Sequence, residues 1–201
     1  MIVLLFYPCI LQSLLGDDYE VIEDGLGART TFFDDPRPEF PSRNGASSLP
    51  IILEKNLPLE YVIIMLGTTD TKPLINKSPE EIGEGARSLI TIIKGFRLLG
   101  NTSLPKILLV VPPIVDDTTL FASSLFQGGT KKALLLPSIY KRVAQEEGVL
   151  YLDVTPEVKV DSKEDGVHIN KENHKRLAQL IEEKIKEEEK RINIIGYESI
   201  H

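Results

Sequence analysis

An aspartate and a histidine three residues apart, Asp165 and His168, are the best candidates for chemistry in this sequence. They precede a helical pattern and read as part of a loop. A carboxylate at this spacing can orient an imidazole and stabilise its protonated form, as the aspartate of a catalytic triad does. The same two residues can equally form a solvated pair on a surface loop, and the motif alone does not decide between the two.

Two other segments follow apolar runs and could complete such a site. Asp24–Thr31 contains Gly25 and Gly27, and Leu66–Asp70 begins Leu-Gly-Thr-Thr-Asp. In an open α/β sheet, ligands bind at the carboxyl ends of the strands, where glycine turns can direct backbone N–H groups at an oxyanion. The alternative is a tight turn in which glycine supplies a positive φ. Phosphate-binding glycine loops of the Walker or dinucleotide type are absent from the sequence.

The elements that must position these segments alternate between strand-like and helix-like patterns, which predicts an α/β fold with a parallel sheet. The predicted strands are Ile2–Phe6, Tyr19–Glu23, Tyr61–Met65, Ile107–Val111 and Val149–Asp153. The predicted helices are Ile10–Leu15, Ala46–Glu54, Pro79–Leu99, Lys131–Glu147 and Lys171–Lys190.

Loops are predicted for Thr31–Gly45 and Pro112–Gly129, which are rich in proline, aspartate or glycine. No repeat or linker divides the chain, so a single domain over residues 1–190 and a tail over 191–201 are expected.

Composition narrows the function classes. The chain has 201 residues and a net charge of -7, which argues against nucleic-acid binding. The apolar start MIVLLFYPCILQ lacks a basic segment and a small-residue cleavage site and is too short for a bilayer, so neither a secretion signal nor membrane attachment is expected. Cys9 is the only cysteine, which leaves the compartment unconstrained; the cytoplasm is the default expectation, although secretion is also compatible.

Together the three segments resemble the SGNH/GDSL hydrolases, and most closely the small bacterial arylesterases and acyltransferases of that family. The resemblance continues through Asp34-Asp35-Pro36, Asn44–Pro50 and Phe126–Gly129, and covers about Ile10 to Lys190. It implies a three-layer α/β/α, flavodoxin-like fold with a mainly parallel five-stranded sheet. It also implies a carboxylester hydrolase or acyltransferase that acts on small acyl esters and needs neither metal nor cofactor.

The resemblance also implies roles for particular residues. In this family a serine in a Gly-Asp-Ser block is the nucleophile, and by correspondence His168 is the base and Asp165 orients it. Three groups stabilise the oxyanion: the serine N–H, a backbone N–H of the second block and an asparagine side chain of the third block. Asp24–Thr31 corresponds to the second block and Leu66–Asp70 to the third. Ala28 occupies the second position and Thr69 the third. Threonine can donate through its hydroxyl, but with a shorter reach.

The chain departs most from the family at the nucleophile, because it contains no Gly-Asp-Ser. The predicted strand Ile2–Phe6 runs straight into Tyr7-Pro8-Cys9, so we expect the loop that carries the serine to be deleted. Cys9 falls in the serine's place. A thiol at a helix N-terminus can be nucleophilic, whereas the alternative is a small buried residue. We expect Cys9 to lie near the site without being competent, and the chain to be inactive or nearly so.

Two alternative functions remain open at this stage. The first is a non-catalytic binding or scaffold descendant of the esterase fold, which the missing serine and Thr69 favour. The second, a nucleotide- or flavin-binding domain, rests on fold analogy alone. Self-association is also expected, because similar relatives form oligomers and because Thr31–Pro41 and Leu120–Phe126 carry apolar residues without an obvious core partner.

Overall fold

The computed structural model describes residues 7–41, 43–96 and 104–198, with side chains up to Arg191. The chain forms two compact units, one of residues 24–168 and one that combines the N-terminal segment with residues from 169 onward. The larger unit contains α2 (Gly45–Asn56), β1 (Tyr61–Ile64), α3 (Pro79–Gly95), β2 (Lys106–Val111), α4 (Leu120–Leu125), α5 (Gly129–Ala133), α6 (Leu136–Glu147) and β3 (Leu150–Asp153). The smaller unit contains α1 (Tyr7–Leu15) and α7 (Lys171–Glu198).

A parallel sheet forms the centre of the larger unit. Its strand order is β1-β2-β3, with Ile64 opposite Leu109 and Val111 opposite Asp153. Residues 107–111 of the central strand β2 are all buried on both faces, as a continuous apolar run predicts. Because all three strands run the same way, the segments that follow them emerge at one edge of the sheet.

One face of the sheet packs against helices α2, α3 and α6 through a single apolar cluster. Alternate residues of β2, namely Ile107, Leu109 and Val111, enter this cluster. Helix α3 contributes a stripe at helical spacing, and α6 another; the buried members are Ile82, Ala86, Leu89, Ile90, Ile93, Leu136, Ile139, Tyr140, Val143 and Ala144.

Local sequence signals set the ends of α3. The Ser78 hydroxyl accepts the Glu81 N–H, and the Glu81 carboxylate accepts the Ser78 N–H at 2.9 Å, which forms a complete capping box. Pro79 occupies the first turn, where a missing N–H costs nothing. The helix was predicted to run to Leu99, but it ends at Gly95, and residues 97–99 lie outside the described part of the chain.

In the smaller unit, the prediction of a strand at Tyr19–Glu23 is wrong. The Val21 N–H donates to the Gln12 side-chain oxygen at 2.7 Å, and the Gln12 amide donates to the Tyr19 carbonyl at 2.8 Å. A side chain of α1 therefore satisfies backbone groups that a sheet would otherwise pair. The α1 helix is held to α7 at its start, where the Tyr7 N–H donates to Nδ1 of His174 at 3.2 Å.

The α/β class is confirmed, but the five-stranded sheet is not. Three strands are present in the described residues, and the predicted strand Ile2–Phe6 lies outside them. The predicted helix Lys131–Glu147 is two helices, α5 and α6, separated at Leu134 and Leu135. Helix α7 continues beyond Lys190 to Glu198. The single-domain boundary stays a prediction.

Helix α4 lies inside the segment that was predicted to be a loop. Thr119 begins it, because its hydroxyl accepts the Ala122 N–H at 3.1 Å. Ala122 and Phe126 are buried, whereas Leu120 is 92% exposed. Self-association through this segment stays a prediction. Among the described residues, none of the helices combines the length and the hydropathy that a membrane crossing requires.

The close approach of α3 to α6 generates a stability prediction. A Cβ at Gly83 would lie 2.3 Å from Cγ2 of Ile139, whereas a Cβ at Gly95, at the end of the same helix, would meet nothing within 4 Å. Gly83→Ala should lower the free energy of unfolding by about 1–3 kcal/mol through overpacking. Gly95→Ala, the matched control, should leave it unchanged or raise it by up to about 1 kcal/mol through helix propensity. Urea unfolding followed by circular dichroism measures both, and equal effects would contradict the packing described here.

Candidate functional site

Asp165 and His168 form the pair that their spacing predicted. The distance from Nδ1 of His168 to Oδ2 of Asp165 is 2.5 Å. The other oxygen of Asp165 accepts the backbone N–H groups of Val167 and His168, each at 2.8 Å. The His168 side chain is 79% exposed and that of Asp165 is 27% exposed. One carboxylate thus fixes both the ring and the backbone that carries it.

The ionisation of Asp165 follows from these contacts. Partial burial by itself raises the pKa of the carboxyl, but the hydrogen bonds from the His168 ring and from the two backbone N–H groups outweigh it, so the pKa lies below its ordinary value. Asp165 is therefore a carboxylate at neutral pH, and the His168 nitrogen beside it must be the protonated one. Nε2 is left as the basic nitrogen of His168.

Backbone contacts hold the loop that carries this pair. The Asp116 N–H donates to the Gly166 carbonyl at 2.8 Å, and the Thr119 hydroxyl donates to the Asp165 carbonyl at 2.6 Å. Gly166 has a φ of +74°, and a Cβ there would lie 2.4 Å from the Asp116 carbonyl oxygen. Only glycine fits this position, so the loop is fixed to the segment that follows β2.

In the second block, the strained conformation falls on Ala28. Ala28 has a φ of +62°, whereas Gly25 and Gly27 are not among the residues with positive φ. The alternative, in which these glycines supply the positive φ of a tight turn, is therefore wrong. A left-handed conformation is unfavourable for alanine, and such strain is common at functional sites. Arg29 braces the turn by donating to the Asp24 carboxylate at 2.9 Å.

The third block is a close-packed turn after β1. Gly67 has a φ of +124°, and a Cβ there would lie 2.4 Å from the Tyr140 hydroxyl. That hydroxyl donates to the Leu66 carbonyl at 2.8 Å. Burial, and then the nearby Asp70, raise the pKa of Tyr140 well above its ordinary value, so it remains a neutral donor. Thr69 begins a single 3-10 turn and is 8% exposed.

A buried contact joins the second block to the third. The Thr31 hydroxyl donates to Oδ1 of Asp70 at 2.6 Å, and the Thr31 N–H donates to the same oxygen at 3.0 Å. Both residues are fully buried. Burial raises the pKa of Asp70, and the hydrogen bonds from Thr31 oppose that rise without cancelling it. Ala28 and Thr69, the predicted oxyanion positions, flank this contact in the sequence.

A continuous set of contacts links the third block to the histidine loop. Thr71, in the same turn as Thr69, packs on Gly129, where a Cβ would lie 3.2 Å from the threonine hydroxyl. The neighbouring Thr130 hydroxyl accepts the Asp117 N–H at 3.1 Å. Asp116, next in the chain, is the donor to Gly166. The larger unit therefore contains Ala28, Thr69, Asp165 and His168 on one connected framework.

Cys9, the residue in the serine's place, lies in the smaller unit. Helix α1 begins at Tyr7, so Cys9 is the third residue of its first turn rather than its start. The side chain is a free thiol and is exposed, which contradicts the alternative of a small buried residue. Whether Cys9 takes part in chemistry stays a prediction.

Sequence reasoning missed the residues that support the site. It gave no role to Thr31, Asp70, Asp116 or Thr119. The aspartate at the end of Gly67-Thr68-Thr69-Asp70 was a usable signal, because a carboxylate directly after a buried strand needs donors. No comparable signal marked Asp116 and Thr119, whose partners are backbone groups some 50 residues away.

The Thr31–Asp70 contact generates a second stability prediction. Thr31→Val keeps the shape but removes the hydroxyl donor from a buried carboxyl, which should lower the free energy of unfolding by about 1–3 kcal/mol. Thr118→Val is the matched control, because its hydroxyl donates to Asp116 at the same 2.6 Å on the exposed surface. The control should stay within about 0.5 kcal/mol of the wild type. Urea unfolding would refute the assignment if the two variants were equally stable.

The lowered pKa of Asp165 generates a pH prediction. A carboxyl whose pKa is lower in the folded than in the unfolded chain stabilises the fold above the unfolded pKa, and this contribution disappears as the pH falls through the folded pKa. Asp165→Asn should therefore be less stable than the wild type at pH 7, and the difference should shrink on acidification to pH 3. A difference that grew towards low pH would reverse the assigned sign. The dependence should weaken in a His168→Ala background.

Two esterases of known structure are similar to this chain in sequence and in fold. A carbohydrate acetylesterase from Sinorhizobium meliloti, Est24, has 34% sequence identity and a TM-score of 0.84, over 90% of this chain and 84% of its own. The aryl esterase of M. smegmatis has 36% identity and a TM-score of 0.83, over 90% of this chain and 85% of its own.

A curated relative, an acetylxylan esterase from Xylanibacter ruminicola, is 26% identical over 90% of this chain. The chain spans only 38% of that relative's length. No family model matches the chain. Identity above 30% to two esterases of known structure, each covered over more than four-fifths of its length, shows the family. The chain belongs to the SGNH/GDSL-type esterases.

Proposed function

We propose that this protein carries the acid–base and oxyanion parts of a carboxylester hydrolase or acyltransferase for small acyl esters, and that the chain as given is inactive or nearly so. The observation that supports the proposal is the pairing of His168 with Asp165 at 2.5 Å on an anchored loop. This arrangement leaves Nε2 of an exposed histidine free to accept a proton.

The substrate class follows from the relatives. Their names describe a carbohydrate acetylesterase, an aryl esterase and an acetylxylan esterase. We therefore propose acetyl and similarly short acyl esters of alcohols as the compounds that this site is shaped for. An uncharged ester suits a site that uses hydrogen-bond donors rather than a metal to stabilise negative charge.

The proposed roles of the residues require a hydroxyl nucleophile to be supplied. Nε2 of His168 removes the proton as the hydroxyl attacks the acyl carbon, and Asp165 stabilises the imidazolium that forms. Negative charge develops on the acyl oxygen, next to the proposed donors, the Ala28 N–H and the Thr69 hydroxyl. His168 then returns the proton to the departing alcohol, and water repeats the sequence to release the acid.

Two features explain the proposed lack of turnover. The sequence contains no Gly-Asp-Ser, so the nucleophile and one oxyanion donor are missing together. Thr69 replaces the asparagine that other members use, and the loss of one oxyanion donor costs about 10²–10³ in turnover. Among the described residues, the Thr69 hydroxyl makes no hydrogen bond, so it is free to donate to a ligand.

A second candidate is a binding protein that uses the same site without turnover. The specific observation in its favour is that the supporting contacts, Thr31 with Asp70 and Gly166 with Asp116, are intact although the nucleophile is missing. A site under no constraint would be expected to lose such buried polar contacts, because each is costly once half of it is removed.

Restoring the missing block tests the first proposal. The unaltered chain should hydrolyse p-nitrophenyl acetate at close to the background rate. Insertion of Gly-Asp-Ser between Phe6 and Tyr7 should raise the rate, and His168→Ala in the inserted protein should reduce the gain by about 10²–10⁴. Insertion of Gly-Asp-Ala is the matched control and should give no gain.

Two outcomes would contradict the proposal. Hydrolysis by the unaltered chain that survives His168→Ala would show that this mechanism is not used. A well-folded Gly-Asp-Ser insertion without activity would show that a donor cradle built on Thr69 is inadequate, and would favour the binding protein.

A further inference from the structure

Lys72 is a buried cation to which the esterase mechanism gives no role. It is 6% exposed, and it follows Thr69 by three residues, just after the third block. In the described part of the chain, its ammonium forms no hydrogen bond or ion pair; its direct neighbour is the ring of Phe126, with the nitrogen 4.9 Å from the ring centroid. A largely buried ammonium without a hydrogen-bonding partner in the protein is costly, so this one calls for an explanation.

The carboxylate that attracts Lys72 is already occupied. Asp35, whose side chain is fully buried, accepts two hydrogen bonds from the Arg37 guanidinium, at 2.8 Å from Nε and 2.5 Å from a terminal nitrogen, and a third from the Arg37 backbone N–H at 3.0 Å. In this bidentate pair, the negative charge of Asp35 is balanced by the Arg37 guanidinium. Lys72 lies within electrostatic range of both residues. Arg37 is also attracted by the exposed Glu39, but Asp35 is the carboxylate that acts on Lys72, and its hydrogen bonds go to Arg37.

The direction of the pKa of Lys72 agrees with this arrangement of charges. Burial lowers the pKa of the ammonium, repulsion from Arg37 lowers it further, and attraction to Asp35 does not restore it. An anion placed at the ammonium would oppose the effects of burial and of Arg37 by direct attraction.

The ammonium is also not completely enclosed by the protein. Among the described residues, the fully enclosed side-chain atoms that lack a partner are Nε of Arg29 and Nε of Arg43. Nζ of Lys72 makes no hydrogen bond either, but it is not one of these completely enclosed atoms. Phe126 covers one side of it, which leaves an apolar wall beside a single charged donor. Such a combination suits a small anion with a short apolar end.

We propose that Lys72 is the anchor of a binding site for a small monocarboxylate, with Phe126 contacting its apolar end. The choice of ligand rests on the proposed function, since hydrolysis of a short acyl ester releases such an acid. The binding itself requires no turnover, so it can be tested on the chain as it is. If Lys72 served only to balance Asp35, the chain would not distinguish a carboxylate from any other anion.

The test is a titration of the whole protein with [13C]acetate at neutral pH, followed by NMR line broadening and by the shift in Tm. Sodium chloride at equal ionic strength and acetamide, a neutral compound of the same shape, are the ligand controls. We expect saturable binding of acetate and none of acetamide. Lys72→Met should raise the apparent Kd for acetate at least about tenfold, as loss of a charge-assisted hydrogen bond implies. Lys141→Met, which removes the same charge from an exposed position of α6, should leave it unchanged.

Each outcome bears on the proposal. Acetate that acts no more strongly than chloride, or that binds Lys72→Met with the wild-type affinity, would overturn it. If Lys72→Met does not fold, as judged by circular dichroism, Lys72→Gln replaces it, and the comparison of acetate with acetamide on the wild type decides by itself. A failure of the serine-insertion experiment together with acetate binding through Lys72 would separate the esterase proposal from this one.

Discussion

The arrangement of the site depends on one buried contact, between Thr31 and Asp70. A carboxyl with no exposed surface must find donors inside the protein, and Thr31 supplies both its N–H and its hydroxyl. This requirement fixes the distance between two segments that are 39 residues apart in the chain. The turn that carries Ala28 and the turn that carries Thr69 are consequently held by the same group. Gly85 allows this, because a Cβ there would lie 2.1 Å from the Thr31 hydroxyl.

The histidine loop is built on a different principle. Asp165 and His168 are partly or mostly exposed, so apolar packing contributes little to their position. Backbone hydrogen bonds replace it: Asp165 accepts two N–H groups of its own loop, and Gly166 and Asp165 present carbonyls to Asp116 and Thr119. A side chain in solvent is thereby held in one orientation while it remains open to a ligand, which is what a proton-transfer residue requires.

The sequence was sufficient to predict what depends on local pattern. Continuous apolar runs predicted the three strands of the sheet to within a residue or two, and the Ser78–Glu81 pattern predicted the start of α3. The three-residue spacing allowed the contact of Asp165 with His168 but did not decide its role. The failures have a common cause. Tyr19–Glu23 has the composition of a strand, but its backbone is bound by Gln12, and the left-handed residue of the second block is Ala28 rather than a glycine. Both depend on contacts between segments, which no periodicity reveals.

The glycine contact at Gly166 has a consequence for how such sequences drift over evolutionary time. Because the loop is fixed through backbone atoms and a missing Cβ, its neighbours Lys163 and Glu164 are exposed, and only the backbone N–H of each is bound, to Asp161. Mutations there are nearly free, whereas Gly166 tolerates none that adds a carbon. A lineage that loses its nucleophile would therefore keep a recognisable Asp-Gly-x-His after the surrounding residues have been substituted.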